Sequence, residues 1–390
     1  MKNILNSIKN SNVIMGSKDT ENILGKSFSY ASDLSKKKRV AINGFGRIGR
    51  AFLKMSLASK SFEVVAVNDL GDIHNMAYLL KYDTVYKRSN FDIEVEEMSE
   101  TEKYLIIKNI KESTSQNTDK KIKFISQRDP LLLPWKDLNI DIVIESTGLF
   151  TSYDKAKVHI DSGAKRVIIS APAKAGEDKS VMGETVLMSV NEDKLKVCDI
   201  SSNASCTTNA SSPLIAILDE AIGIEKAMLN TVHAYTASQS IVDGPNKKDY
   251  REGRAGAQNI VPSSTGAAIA VGKVFTQLDG RFDGIAMRVP VAAGSVVDIT
   301  FIAKRDTSSE EVNSILRAAA ASKKWQGIFE ASDEELVSSD IQGSHFASIA
   351  DLKMTRVVGG NLVKVLGWYD NEVGYTNTLV MHTEKVAELL

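Results

Sequence analysis

Three glycines at fixed spacing, in Gly44-Phe45-Gly46-Arg47-Ile48-Gly49, follow at once on the aliphatic segment Arg39-Val-Ala-Ile-Asn43, and no other feature constrains the fold as much. The segment has the length and β-branched content of a short buried strand. Ile48, Ala51, Phe52 and Met55 then recur at i, i+3, i+4 and i+7, which predicts a helix with those four side chains on one face. Glu63-Val-Val-Ala-Val-Asn-Asp69 reads as a second buried strand that ends in an acid. Strand, glycine turn, helix and strand make a β-α-β unit, and parallel strands of that kind belong to a sheet covered by helices.

Each part of the unit suits a dinucleotide. Gly44 permits the tight turn, Gly46 lets the backbone approach a pyrophosphate, and Gly49 lets the helix pack closely on the strand. The helix N-terminus offers free N–H groups and a favourable dipole to the anion. Asp69, twenty residues past Gly49, is placed to accept hydrogen bonds from the adenosine ribose and repels a 2′-phosphate, so NAD is expected rather than NADP. Two further strands, Asp141-Ile-Val-Ile-Glu145 before Ser146-Thr147-Gly148 and Arg166-Val-Ile-Ile-Ser170 before Ala171-Pro172, extend the pattern to a doubly wound sheet. Ligands lie beyond the carboxyl ends of such strands, so these loops are expected to border the cofactor.

Composition excludes several other classes. The 390 residues carry 48 Lys and Arg against 49 Asp and Glu, a net charge of −1, which provides no basic field for nucleic acid or an anionic membrane. No stretch approaches the roughly eighteen consecutive apolar residues of a membrane span. Two cysteines, Cys198 and Cys206, are too few for a disulfide framework or a cysteine-rich zinc site, and no metal is expected. The first 39 residues hold seven lysines and Arg39 against three acids, and their longest apolar run, Val13-Ile14-Met15, is too short for a secretory core. Residues 1–38 therefore read as an N-terminal extension, expected to be flexible.

The chemistry-bearing segment is Ser201-Ser-Asn-Ala-Ser-Cys206-Thr207-Thr208-Asn209, before a helix predicted over Ser211–Leu218. A cysteine near a helix N-terminus is favoured as thiolate. The residues by themselves leave Cys206 either a nucleophile or a small buried hydrophobe.

The segment resembles the active-site region of phosphorylating glyceraldehyde-3-phosphate dehydrogenases, the type I family. Further blocks fall in family order: Asn43-Gly-Phe-Gly-Arg-Ile-Gly-Arg50, His233-Ala-Tyr-Thr236, Val242-Asp-Gly-Pro245, Pro262-Ser-Ser-Thr-Gly-Ala-Ala268, Met287-Arg-Val-Pro290 and Trp368-Tyr-Asp-Asn-Glu372. The resemblance implies an α/β protein. Its Rossmann-type doubly wound NAD-binding domain would comprise 39–205 and 370–390, and its α+β catalytic domain, with a mainly antiparallel sheet, 206–369.

The same resemblance implies NAD-dependent oxidation of glyceraldehyde 3-phosphate with inorganic phosphate, in a cytoplasmic glycolytic homotetramer. Cys206 would attack the aldehyde, and His233, as an imidazolium, would favour its thiolate. Arg47 and Ile48 would lie at the pyrophosphate turn, Asp69 at the ribose, Arg128 and Ser170 in the cofactor wall, and Asn371 at the nicotinamide. Thr236, Ser238 and Arg288 would meet the substrate phosphate, and Ser205, Thr207, Thr265 and Gly266 the inorganic phosphate. An erythrose-4-phosphate dehydrogenase would use the same cysteine and histidine, and a scaffold protein on a dehydrogenase fold is the alternative from another class.

The chain departs from the family pattern at a few places: Ala210 stands where a second cysteine is common, and Tyr86-Lys87-Arg88 and Val373 are also unusual. Val296–Ile302 is expected as a strand and Glu310–Ala321 as a helix. Residues 234–260 read as a long polar loop, which implies a function or a packing partner. Leu379, Val386 and Leu390 are expected on one face of a closing helix.

Overall fold

Val40, Ala41 and Ile42 are fully buried, which a strand achieves only when both its faces are covered. In the computed structural model, which describes residues 37–110, 119–178, 180–247 and 249–390, this strand is β1 (Lys38–Asn43). The extension expected over 1–38 lies outside the described residues up to residue 36. Lys37–Leu390 packs as one unit.

After β1 come α1 (Arg47–Ser56), β2 (Phe62–Asn68), α2 (Ile73–Lys81) and a hairpin of β3 (Tyr82–Asp83) with β4 (Lys87–Arg88). Next are β5 (Asp92–Glu97), β6 (Lys103–Lys108), β7 (Lys120–Ile125), β8 (Ile142–Glu145), the short helices α3 (Tyr153–Ala156) and α4 (Val158–Asp161), β9 (Arg166–Ile169), β10 (Gly183–Thr185) and β11 (Ile200–Ser202). Nine of these strands form one sheet in the order β10-β11-β9-β8-β1-β2-β7-β6-β5. The pairs from β10 to β7 are parallel, and β6 and β5 add an antiparallel edge. Strand order reverses about β1, so the carboxyl ends of β1, β2 and β8 flank a crevice of the kind that holds ligands in doubly wound sheets.

The chain continues through α5 (Cys206–Ile222), β12 (Ile224–Ala234), β13 (Val261–Ser264), α6 (Ala267–Val274), β14 (Phe282–Val289) and β15 (Ser295–Ala303). It ends with α7 (Ser309–Ala320), β16 (Phe329–Ser332), β17 (Ser348–Asp351), β18 (Arg356–Val358), β19 (Leu362–Tyr369) and α8 (Val373–Glu388). The second sheet runs β13-β14-β12-β15-β19-β17-β16, with β18 beside β19. Its pairs are antiparallel except β12 with β14 and β16 with β17. Along β15 every second residue is buried, from Ser295 through Val297, Ile299 and Phe301 to Ala303, so one face of this sheet meets the core.

That face is covered by α5, which packs on β12, β15, β17 and β19 and against α6, α7 and α8. One buried cluster runs from Val40 and Ile42 through Leu214 and Leu218 to Val297, Phe301 and Leu379. The last helix, α8, returns to pack on α1, with Leu379 and Val386 buried and Leu390 partly so.

Two expectations need correction. The buried side of α1 is Gly49, Phe52, Leu53 and Ser56; Ile48, Ala51 and Met55 are only partly buried, because α1 is wedged between the sheet and α8 and turns Leu53 inward. The helix expected over Ser211–Leu218 begins five residues earlier, at Cys206, and Pro213 lies inside it. The loop over 234–260 is closed on itself: Asp243 accepts from Arg254 Nε at 2.8 Å and from the Ala255 N–H at 3.0 Å, and the Gly244 N–H bonds to the Gly253 carbonyl at 2.8 Å.

Candidate active site

At the glycine turn each residue has a distinct steric reason. Gly44 adopts φ +95°, a left-handed conformation, and a Cβ there would lie 2.6 Å from the Thr147 nitrogen. A Cβ on Gly49 would lie 2.2 Å from the Gly44 carbonyl oxygen, so the helix can approach the strand this closely only with glycine. At Gly46, the cap residue of α1, no atom lies within 4 Å of a Cβ position. That open side is where an anion can reach the free N–H groups of the first turn.

Asp69 stands just beyond β2, and its carboxylate accepts from the Phe45 N–H at 2.7 Å and the Gly71 N–H at 2.8 Å. The acid is thereby tied to the glycine turn while retaining further lone pairs for a diol. Beneath lies a buried polar network absent from the sequence reading. Glu145 accepts from Asn43 Nδ2 at 2.6 Å and from the Thr147 N–H at 2.8 Å, and lies 3.0 Å from His159 Nε2; Asn68 Nδ2 donates to Asn43 Oδ1 at 2.7 Å. Trp135 Nε1 donates to His159 Nδ1 at 3.2 Å, which leaves the ring proton on Nε2, facing Glu145. The network joins the ends of β1, β2 and β8, the three strands whose loops border the crevice.

Arg47, expected at the pyrophosphate turn, has its guanidinium paired with Glu372 and Asp83, so what it presents toward the turn is its backbone N–H. Ile48 occupies the next helical position, half-buried. Arg128 is exposed just past β7, and Ser170 follows β9, its N–H bonded to the Glu145 carbonyl at 2.9 Å.

Cys206 is the first residue of α5, capped by Ser205, whose Oγ accepts from the Thr208 N–H at 3.1 Å. Its Sγ lies 3.3 Å from His233 Nε2. His233 is near the end of β12, and the register pairs it with Arg288 on the parallel neighbour β14. Arg288 Nη1 lies 2.6 Å from His233 Nδ1, and the Ala234 carbonyl oxygen lies 2.7 Å from the same nitrogen. The Tyr369 ring meets the imidazole edge-on at 5.9 Å between centroids. Thus α5, β12, β14 and β19 bring a thiol, an imidazole, a guanidinium and a phenol together.

Burial pushes the Cys206 thiol up, against the opposing pull of Arg288. Burial also holds His233 far below its ordinary value, at about 3, and the Arg288 charge acts in the same direction. Both directions act against the imidazolium beside a thiolate that the resemblance implies: His233 is only 3% exposed and has a cation against it.

The remaining expected residues fall in three groups. Asn371, buried, accepts at Oδ1 from the Gly294 N–H at 3.2 Å and from Ser295 Oγ at 3.1 Å, which leaves its amide NH2 free to donate. Thr207 Oγ1 lies 3.0 Å from the Tyr369 hydroxyl, so its group available to a phosphate is the N–H of the first helical turn. Thr236 Oγ1 and Ser238 Oγ lie 3.1 Å apart on the segment after His233, while Thr265 Oγ1 accepts from the Ala267 N–H at 3.2 Å beside Gly266, the cap of α6.

Sequence reasoning missed Tyr369 and Ser295. Ser295 Oγ accepts from the Ala234 N–H at 3.1 Å and donates to Asn371, linking the catalytic strand to the start of α8. Tyr369 carried one usable signal, its place two residues before Asn371 in the Trp368-Tyr-Asp-Asn-Glu372 block.

Comparison with known proteins bears on this arrangement. Residues 38–153 match the model of the NAD binding domain of glyceraldehyde 3-phosphate dehydrogenase, and residues 205–371 match the model of its C-terminal domain. Among curated relatives, a glyceraldehyde-3-phosphate dehydrogenase of Streptomyces coelicolor is 46% identical over 88% of this chain and 96% of its own length. One of Mycobacterium avium is also 46% identical over the same shares, and one of Clostridium pasteurianum is 41% identical over 90% of this chain and 99% of its own length.

Proposed function

The chain belongs to the glyceraldehyde-3-phosphate dehydrogenase family, and on that premise we propose that Cys206 and His233 perform the phosphorylating oxidation of glyceraldehyde 3-phosphate. The protein is an NAD-dependent oxidoreductase. The observation that carries the residue assignment is the 3.3 Å approach of Cys206 Sγ to His233 Nε2 at the N-terminus of α5.

Gly44, Gly46, Gly49 and Asp69 fit NAD: the Gly46 side of the turn is open, the first-turn N–H groups of Arg47 and Ile48 suit a pyrophosphate, and Asp69 suits a ribose. Bound NAD supplies the hydride acceptor. We assign Arg128 and Ser170 to the wall of that site and the Asn371 amide to the nicotinamide carboxamide.

The thiol proton of Cys206 passes to His233 Nε2, the thiolate attacks the aldehyde carbon, and the imidazolium returns that proton to the carbonyl oxygen, giving a thiohemiacetal and a neutral His233. His233 then takes the hydroxyl proton as the hydride departs, leaving a thioester on Cys206. Inorganic phosphate, held by the Ser205 and Thr207 turn with Thr265 and Gly266, attacks the thioester carbon; the carbon–sulfur bond breaks, releasing an acyl phosphate and restoring the Cys206 thiolate. Arg288, Thr236 and Ser238 hold the substrate's own phosphate through charge-assisted hydrogen bonds.

The domain division at 39–205 with 370–390, and 206–369, is part of the same proposal. It is supported by the two separate sheets and by the packing of α8 on α1. We also infer a cytoplasmic homotetramer. No helix among the described residues is long and apolar enough to cross a membrane, and exposed Ile241, Val242 and Tyr250 on the 234–260 loop support contact with another subunit.

The test is NADH formation from glyceraldehyde 3-phosphate and from erythrose 4-phosphate, with and without inorganic phosphate, in wild type and Cys206→Ser. Phosphate-dependent turnover of the triose that vanishes in the variant is expected. A strong preference for erythrose 4-phosphate, indifferent to inorganic phosphate, would overturn the substrate assignment.

A further inference from the structure

Asp370, the residue before Asn371, is fully buried, and among the described residues no cation is hydrogen-bonded to it. A buried carboxylate of that kind depends on neutral donors. Its Oδ1 accepts from the Glu372 and Val373 N–H groups, each at 2.9 Å, and so caps the start of α8, while Oδ2 accepts from the Gly343 N–H at 2.8 Å. The remaining donor is a side chain: the Tyr86 hydroxyl lies 2.8 Å from Oδ1 and 3.0 Å from Oδ2. Burial and the Asp370 charge both push that hydroxyl above its ordinary value, so it keeps its proton and stays a donor.

Tyr86 belongs to the turn between β3 and β4, in the Tyr86-Lys87-Arg88 stretch that departs from the family pattern. Two features fix its aim. Asp83 Oδ1 accepts from the Val85 and Tyr86 N–H groups at 2.9 and 3.0 Å, and Lys87 adopts φ 65°, the left-handed region that a lysine rarely enters. The same Asp83 pairs with Arg47, the first residue of α1, whose guanidinium lies 5.8 Å from the centre of the Tyr86 ring and also pairs with Glu372. The turn therefore touches both the helix that opens at the glycines and the segment that carries Asn371.

We propose that Tyr86 is a positioning residue for the nicotinamide end of NAD: its hydroxyl holds Asp370, and through Asp370 it fixes Asn371 relative to the glycine turn. This rests on the assignment of the Asn371 amide to the nicotinamide carboxamide made above. Gly294 and Ser295 hold the Asn371 side chain at Oδ1, whereas the turn that carries its backbone is held by Asp370. Without the Tyr86 hydroxyl, a phenyl ring can still lie over Arg47, but Asp370 loses its side-chain donor and the turn through Asn371 is free to shift. The groups placed at the adenosine ribose and the pyrophosphate, Asp69 and the first-turn N–H groups of α1, make no hydrogen bond to Asp370. The effect therefore falls on the nicotinamide half of the dinucleotide, the half that takes the hydride.

The test is the ratio of the dissociation constants of NAD and of ADP-ribose, which lacks the nicotinamide, measured by titration calorimetry on wild type, Tyr86→Phe and Asn371→Ala. In Tyr86→Phe, ADP-ribose should bind as in wild type and NAD more weakly by about fivefold, the scale of one hydrogen bond. Both ligands are read on the same protein, so a fraction of unfolded chain leaves the ratio unaltered. An unchanged ratio overturns the proposal. So does an equal loss for both ligands, the result for a residue that only stabilises the fold. Tyr86→Met, which also lacks the hydroxyl, takes the place of Tyr86→Phe if that variant does not fold. Asn371→Ala tests the underlying assignment separately. A raised ratio there, with an unchanged one in Tyr86→Phe, sinks the role of Tyr86 and leaves Asn371 standing; an unchanged ratio in Asn371→Ala overturns both.

Discussion

The Tyr369 hydroxyl lies 3.0 Å from Thr207 Oγ1 and 2.8 Å from Thr231 Oγ1, so three hydroxyls from α5, β12 and β19 satisfy one another in a buried pocket behind Cys206. Tyr369→Phe leaves both threonines short of a partner, and a loss of about 1–2 kcal/mol in urea unfolding is expected. The glycines give a sharper contrast. Gly49→Ala places a methyl 2.2 Å from a backbone oxygen, so both stability and NAD binding should fall. Gly46→Ala meets no protein atom within 4 Å, so its unfolding midpoint should stay close to wild type while its NAD affinity drops, as titration calorimetry would show. An equal loss of stability at both positions would count against Gly46 facing the ligand. The spacing of these glycines was readable in the sequence; the contact of Arg288 with His233 was not, because it joins residues on two different strands.

At the scale of elements, α5 does most to build the site. Its first turn, Cys206-Thr-Thr-Asn209, is polar and carries no apolar periodicity, which is why the sequence reading began the helix only at Ser211. Tertiary contacts decide otherwise. Asn209 Nδ2 donates to the Asn203 carbonyl at 2.7 Å, the Tyr375 hydroxyl of α8 donates to the Ala204 carbonyl at 3.1 Å, and Ser205 caps the turn. Removing that cap with Ser205→Ala should cost about 1 kcal/mol in thermal or chemical unfolding and slow alkylation of Cys206, since the first-turn N–H groups would lose their alignment. Unchanged thiol reactivity would mean that the helix end contributes little to the nucleophile. The face of α1 was misjudged for a related reason: a period of 3.6 locates a stripe, but the packing of α8 on α1 decides which edge of it is deepest.

Across the whole molecule, two fully buried histidines tie folding to pH. His233 and His382 both have folded values near 3, lowered by burial, with Arg288 adding to the effect at His233. Their unfolded values are near 6.5. The folded state keeps them neutral, so as pH falls below about 6.5 the unfolded chain binds protons that the folded chain does not, and stability declines until pH approaches 3. Each histidine contributes up to about 1.4 kcal/mol per pH unit in that window. His382, which lies 2.9 Å from Ser201 Oγ and 3.1 Å from Asn203 Oδ1, lets the effect be isolated. The fall in denaturant midpoint between pH 7 and pH 5 should be smaller in His382→Gln than in wild type, and an equal fall would refute the assignment. These contacts also show how the two sheets come to share one site: α8 fastens the strand before Cys206 to the segment that carries Asn371. Local order of residue types determined the β-α-β unit, the glycine turn with Asp69, the short strands and the cysteine segment, because each is written within a few residues or one helical period. Only the tertiary structure decided that Arg288 lies on His233, that Tyr369 and Ser295 support the site, and that Arg47 is paired with Glu372, because those contacts join residues tens to hundreds of positions apart whose meeting depends on sheet order and register.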